Sequence, residues 1–129
     1  MNEKIDLAKY RLSDSQEKLE SAKILFENTK YKDAISRSYY AMFSAARSLL
    51  ATKSLDSTKH SGIISLFNQY FVKEGVVNKT YGKILAEAKD IREESDYGDF
   101  VIVSREEAET QIKNAELFIE EVKTIIDKI

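Results

Sequence analysis

The chain has 129 residues, of which 33% are charged, and it contains neither proline nor cysteine. Without cysteine it has no disulfide framework and no thiolate metal site, which fits a protein of the reducing cytoplasm. Its formal net charge of −2 gives no overall attraction to nucleic acid. It has no run of about 18 apolar residues, so we expect no membrane-spanning segment. A chain of this length should form a single helical domain over residues 1–129.

The first half of the chain predicts two long helices joined by a short turn. Over residues 3–29, one stripe recurs at intervals of three and four, which is typical of a helix packed along a neighbour: Ile5, Ala8, Leu12, Ser15, Leu19, Ala22 and Phe26. Residues 34–51 are apolar or small in nearly every helical direction, so we expect this second helix, beginning near 31–33, at the centre of a bundle. Because the break at 28–30 is so short, the two helices should form an antiparallel hairpin.

Two further helices are predicted after a polar loop at residues 53–58. Ser57 or Thr58 is a suitable cap for the third helix, and Gly75 stands where its C-terminal cap belongs. The fourth helix should cover about residues 79–95.

The apolar connector at residues 100–103 is too short to seed a sheet. Ser104 and Glu107 then have the spacing of a capping box and predict a last helix over residues 105–128. The predicted fold is therefore all-α, an antiparallel up-and-down four-helix bundle with one additional short helix.

The segment REESDYGD, from Arg92 to Asp99, is the most unusual polar stretch. Arg92 and Asp96 are four residues apart and can face each other on one helical ridge, with Tyr97 beside them. One explanation is structural, an exposed ion pair with the tyrosine packed over a loop. The functional explanation is a polar pocket in which arginine binds phosphate and tyrosine stacks on a base.

Three upstream residues are further candidates for this pocket. Arg37 and Tyr40 lie three apart on the central helix, and an arginine among apolar neighbours must reach solvent, a ligand or an acid such as Asp96. The only histidine, His60, should lie in the first turn of the third helix, where the positive helix end lowers its pKa and favours anions. A single histidine there is more often a packing or surface residue, and the sequence identifies no partner that would make it a general base. No pair of histidines has metal-ligand spacing, so we expect no metal and no cofactor.

Three segments give the chain a resemblance to the HEPN family (higher eukaryote and prokaryote nucleotide-binding domain), and specifically to its small stand-alone prokaryotic members. The segments are YKDAISRSYYAMFSAARSLL at 31–50, KHSGIISLFNQYFVKEG at 59–75 and IREESDYGDFVIVSREEAE at 91–109. The resemblance implies a helical bundle that is usually a homodimer. Such proteins are often encoded beside a minimal nucleotidyltransferase, in pairs that resemble toxin–antitoxin modules.

The resemblance also implies a ribonuclease motif that is degenerate in this chain. Active members are metal-independent ribonucleases with a sequence motif near the end of a late helix. The motif consists of Arg, a polar residue, three to five further residues and then His. Arg92 matches the arginine, but Tyr97 stands where His is expected. Tyrosine titrates at about pH 10, so it is a poor base for the 2′-hydroxyl of RNA. In some members a late-helix tyrosine is adenylylated by the partner transferase. Tyr97 is a candidate acceptor, although its position relative to Arg92 is that of the missing histidine.

Three functions stay open from the sequence. The first is a dimeric partner of a nucleotidyltransferase that binds RNA, ATP or another nucleotide in a cleft lined by Arg37, Tyr40, Arg92, Asp96 and Tyr97. The second is a ribonuclease toxin with Arg92 and Tyr97 as its catalytic pair, assisted by His60. The third is a structural bundle in which the same side chains only tie the late helix to the central one.

Overall fold

The computed structural model describes residues 2–129, and within that range it contains helices but no strand. Four helices are long and one, α3, is short and continues directly into a π-helical segment. The bounds are α1 Glu3–Glu27, α2 Tyr31–Ala51, α3 His60–Phe67, the π segment Asn68–Val72, α4 Lys79–Tyr97 and α5 Arg105–Asp127. The predicted class, an all-α bundle of four long helices and one short helix, is confirmed.

Helix α2 lies at the centre of the bundle, where it packs against α1, α3, α4 and α5. Its neighbours bury Tyr39 and Leu49 almost completely. The Ser48 hydroxyl donates to the carbonyl of Ala8 over 2.6 Å, and the Ser44 hydroxyl donates to Asp14 Oδ2 over 3.1 Å. Of these two contacts, the one from the later residue of α1 goes to the earlier residue of α2, so the two helices are antiparallel, as predicted. The predicted central position of α2 is also confirmed.

Side-chain caps fix the beginnings of the two late helices. Asn78 Oδ1 accepts from the Thr80 amide over 2.9 Å at the start of α4. Ser104 Oγ accepts from the Glu107 amide over 3.0 Å at the start of α5, which confirms the predicted cap. After the π segment the chain turns at Gly75, whose φ of 77° lies in the left-handed region that glycine adopts without strain.

The start of α3 differs from the prediction. Its cap position is Lys59 rather than Ser57 or Thr58, and no side chain caps it. Ser57 Oγ instead accepts from the Lys59 amide over 3.2 Å, one residue before the helix begins. The serine therefore shapes the loop that leads into α3 and does not cap the helix itself.

The ends of two long helices also shift by two residues. Helix α1 stops at Glu27 rather than 29, because Thr29 has a left-handed φ of 61° that a helix cannot contain. Helix α4 continues to Tyr97 rather than 95, so Tyr97 belongs to the last turn of the helix that carries Arg92. Among the helices of residues 2–129, none combines the length and the apolar character needed to cross a membrane.

Candidate functional site

Aromatic side chains of α2 meet His60 of α3 and Arg92 of α4 in one group, which we call the His60 cluster: Tyr39, Tyr40, Phe43, His60 and Arg92. Phe43 stacks on the imidazole with 4.3 Å between ring centres. Tyr40 approaches the same imidazole edge-on at 5.8 Å. The histidine is the first residue of α3, and the packing of α3 on α2 brings it to these rings.

The hydroxyl of Tyr39 anchors the inner side of the imidazole. Tyr39 Oη lies 2.9 Å from His60 Nδ1, within hydrogen-bonding distance. The tyrosine is 1% exposed, and this burial raises its pKa well above the ordinary value for tyrosine. The hydroxyl therefore keeps its proton throughout the physiological pH range.

The guanidinium of Arg92 lies between two aromatic rings and a carboxylate. Its Cζ is 5.1 Å from the centre of the Tyr40 ring and 6.0 Å from that of Tyr97. Its Nε lies 2.9 Å from Asp96 Oδ2, so the ion pair indicated by the four-residue spacing is confirmed. The Nε–H does not point at an acceptor, so the contact is an ion pair and not an aligned hydrogen bond. Neither terminal nitrogen donates a hydrogen bond within residues 2–129, and only Nε is buried without a partner, so the terminal nitrogens are the part of the guanidinium that reaches solvent.

The electrostatic environment of the cluster favours a neutral imidazole. Burial lowers the pKa of His60 first, and the positive charges of Arg92 and Lys89 lower it further, while Glu93 opposes them. Lys89 Nζ donates to Glu93 Oε1 over 2.6 Å, which holds the pKa of Glu93 below its usual range. The lowered pKa of His60 agrees in direction with the sequence analysis, but its first cause is burial and not the helix end.

Five of the six predicted site residues lie together: Tyr40, His60, Arg92, Asp96 and Tyr97. Arg37 is exposed on α2 and lines a neighbouring cleft of about 470 Å³ with Tyr40, Leu25, Asp33 and Ser36. Of the alternatives for Arg37, pairing with Asp96 is wrong, because Asp96 pairs with Arg92 and no ion pair of Arg37 occurs in the described part of the chain. The side chain reaches solvent instead. The single predicted cleft is therefore two adjacent surfaces that share Tyr40.

Four further residues around His60 were not predicted from the sequence. Tyr39 and Phe43 belong to the apolar pattern of α2, which gives no sign that they contact a histidine. Lys89 and Glu93 follow the same three- and four-residue spacing as Arg92 and Asp96, so the helical ridge of α4 could have revealed them. Within residues 2–129, no set of three His, Cys, Asp or Glu side chains is arranged to hold a metal ion.

Fold and site together define a small helical bundle that presents an arginine–histidine–aromatic cluster where its central, third and fourth helices meet. The sequence profile of the HEPN domain matches residues 8–125, and the chain belongs to the HEPN family. This confirms the resemblance seen in the sequence.

Known relatives agree with this assignment. A protein of Methanocaldococcus jannaschii, named as a candidate toxin, is 43% identical over 115 residues, which cover 89% of this chain and 85% of the relative. A UPF0332 protein of Thermotoga maritima is 36% identical over 129 residues, covering 100% and 98% of the two chains. A second Methanocaldococcus jannaschii protein, also named as a candidate toxin, is 30% identical over 112 residues, covering 87% and 76%.

Proposed function

We propose that this protein binds RNA or a nucleotide at the His60 cluster and serves as the HEPN component of a toxin–antitoxin-like module. The observation that carries the proposal is the position of Arg92. The rings of Tyr40 and Tyr97 and the carboxylate of Asp96 hold its guanidinium in place, yet its terminal nitrogens donate no hydrogen bond within residues 2–129. A held guanidinium with open donors is suited to bidentate contact with phosphate.

Tyr97 adds a stacking surface next to this arginine. It is 76% exposed although it belongs to the last turn of α4. Stacking of a base on an exposed aromatic ring contributes about 1–3 kcal/mol and tolerates any base. Arginine and tyrosine together thus support recognition of a phosphate and the base attached to it.

The partners we propose are a second copy of this chain and a minimal nucleotidyltransferase. Support for the second copy comes from the connector after α4, where Phe100 and Ile102 are 101% and 89% exposed. Two large apolar side chains this exposed, two positions apart in one connector, are typical of an interaction surface. Support for the module comes from the two Methanocaldococcus jannaschii relatives, whose names describe them as candidate toxins.

Metal-independent RNA cleavage is the second candidate function, and the position of His60 favours it. The imidazole and the guanidinium both approach the Tyr40 ring, so an arginine and a histidine belong to one cluster although position 97 is tyrosine. Incubation of RNA with the protein in EDTA tests cleavage. Cleavage that is lost in His60→Gln and kept in Tyr97→Phe would identify His60 as the replacement for the histidine of the motif.

Binding itself is tested with Arg92→Ala, using ATP in calorimetry and a single-stranded oligoribonucleotide in fluorescence anisotropy. We expect at least a tenfold loss of affinity, because hydrogen bonds to a charged group contribute about 1.5–3 kcal/mol. Lys83→Ala is the matched control, since Lys83 is an exposed cation of α4 nine positions earlier, about half a turn from Arg92 around the helix. Unchanged binding by Arg92→Ala, with a lower melting temperature only, would support the structural role instead.

A further inference from the structure

The hydrogen bond between Tyr39 and His60 determines which nitrogen of the imidazole carries the proton. Tyr39 is 1% exposed, and His60 Nδ1 is the only hydrogen-bond partner of its hydroxyl within residues 2–129. A buried donor without an acceptor costs about 1–3 kcal/mol, so the hydroxyl should donate to Nδ1. A neutral imidazole that accepts at Nδ1 carries its proton on Nε2.

The opposite edge of the ring is accessible to a ligand. Nε2 makes no hydrogen bond within residues 2–129, and it is not buried, so it reaches solvent. The neutral ring thus presents an N–H donor on the side away from Tyr39. The guanidinium of Arg92, which lies 5.1 Å from the centre of the Tyr40 ring and whose charge acts on this imidazole, supplies further donors in the same cluster.

We infer that the Nε2–H of His60 and the guanidinium of Arg92 form a subsite for a phosphate group, and that a bound phosphate draws a second proton onto His60. This inference rests on the proposed function, because it assigns the phosphate of the RNA or nucleotide to these two side chains. On proton uptake Nδ1 becomes a donor, and the Tyr39 oxygen becomes its acceptor.

The charges around the imidazole explain why a phosphate would change its protonation. From α2 it is faced by Tyr39, Tyr40 and Arg47, and from α4 by Lys89, Arg92 and Glu93. Before binding, burial and the three cations favour the neutral ring, and only Glu93 opposes them. An anion at Nε2 offsets the cations and stabilises the imidazolium.

This coupling gives phosphate binding a defined pH dependence. The pKa of His60 is below its ordinary value in the free protein, and the proposed subsite requires it to be higher in the complex. Between those two values binding takes up a proton, so affinity for an RNA phosphodiester rises as the pH falls, by at most about tenfold per pH unit. Phosphate monoesters such as AMP titrate at about pH 6 themselves, so their own protonation opposes this rise. Above the higher value, affinity is independent of the protonation of His60.

Nuclear magnetic resonance can read this site directly, because His60 is the only histidine of the chain. We would label histidine with ¹⁵N and follow both ring nitrogens against pH, without ligand and with inorganic phosphate, AMP or a single-stranded oligoribonucleotide. The free protein should show the Nε2–H tautomer. Phosphate-bearing ligands at saturation should raise the midpoint of titration by about 1 unit. An Nδ1–H tautomer, or a midpoint that saturating AMP and RNA both leave unchanged, would overturn the inference.

Three variants separate the parts of the inference. Arg92→Ala should keep the tautomer and lose the ligand-induced shift, whereas Tyr39→Phe should lose the preference for Nε2–H. Lys83→Ala should behave as the wild type. A shift with AMP alone would assign the subsite to free nucleotides, and a shift with RNA would assign it to the polymer.

Calorimetry on the same samples distinguishes the two proposals. Binding of AMP or RNA without a change in the His60 titration would disprove the proton-linked subsite and leave the proposed function in place. Absence of any binding would remove both.

Discussion

At the level of single side chains, two buried serines differ in whether their hydroxyls are satisfied. Ser95 of α4 is 4% exposed, and its Oγ has no hydrogen-bond partner. Since the hydroxyl loses water and gains nothing in exchange, we expect Ser95→Ala to raise the free energy of unfolding by about 1 kcal/mol. Chemical denaturation of the two proteins measures this difference.

Ser48 of α2 is the matched control for that change. Its hydroxyl is equally buried but donates to the Ala8 carbonyl over 2.6 Å, across the contact between α1 and α2. Ser48→Ala should therefore lower the free energy of unfolding by about 1 kcal/mol. A destabilised Ser95→Ala protein would show that the Ser95 hydroxyl has a partner in solution.

Residues of the site differ in how far the sequence could predict them. Arg92, Asp96 and Tyr97 belong to one helix, so helical spacing was enough to place them together. His60 lies 32 positions before Arg92, and only the packing of α3 and α4 on α2 brings the two to the Tyr40 ring. The apolar pattern of α2 predicts Tyr39 as a core residue, and its ring is indeed buried. The contact of its hydroxyl with His60 cannot be deduced from that pattern.

At the level of elements, the loop before α3 sets the position of His60. Gly62 in the first turn of α3 lies against Ser57, and a Cβ at Gly62 would lie 2.8 Å from Ser57 Cβ. Because Ser57 Cβ is fixed to the backbone, Gly62→Ala should push the loop away from the helix. We expect a loss of about 1–3 kcal/mol in the free energy of unfolding, together with weaker nucleotide binding.

A second change separates crowding at this position from an effect on the helix backbone. In the double variant Gly62→Ala with Ser57→Gly the conflicting side chain is gone, so binding of ATP should recover toward the wild-type value. Calorimetry on the single and double variants measures this recovery. Equal losses in both variants would show that contact with Ser57 is not the reason for glycine at this position.

The helices themselves could be predicted almost completely from sequence, for reasons that differ along the chain. Long apolar stripes and the Ser104 cap define α1, α2 and α5 to within two residues at either end. The π segment at Asn68–Val72 could not be predicted, because the buried residues Ile63, Phe67 and Phe71 keep the four-residue spacing that an α-helix also gives. This segment packs against α4 at Gly82, where an added Cβ would lie 2.5 Å from Asn68 Oδ1.

At the level of the whole molecule, the candidate site depends on the complete bundle rather than on any one helix. Helix α2 supplies the rings, α3 the imidazole and α4 the guanidinium, and α2 contacts both of the others. A change that loosens the packing of α3 or α4 on α2 should therefore weaken binding even at a distance from the ligand. Binding and stability have to be measured together for every variant.

The connector that follows α4 extends this argument to a second copy of the chain. Phe100 has a left-handed φ of 59°, and both Phe100 and Ile102 are exposed, a few residues beyond Tyr97. Burial of these side chains in a partner would remove apolar surface from water, at about 25 cal/mol per Å². We therefore expect the wild-type protein to be a homodimer in which the two His60 clusters lie near the interface.

Sedimentation equilibrium of the wild type and of a Phe100→Asp, Ile102→Asp double variant tests this expectation. The double variant should be a folded monomer, because neither side chain contributes to the buried core of the chain. Its melting temperature should be lower than that of the wild type and should no longer depend on protein concentration, because association stabilises only the folded state. Ile24→Asp is the control, since Ile24 is 53% exposed on α1 and is not part of the connector. A double variant that stays dimeric, or dissociation by Ile24→Asp, would place the dimer interface on another face of the bundle.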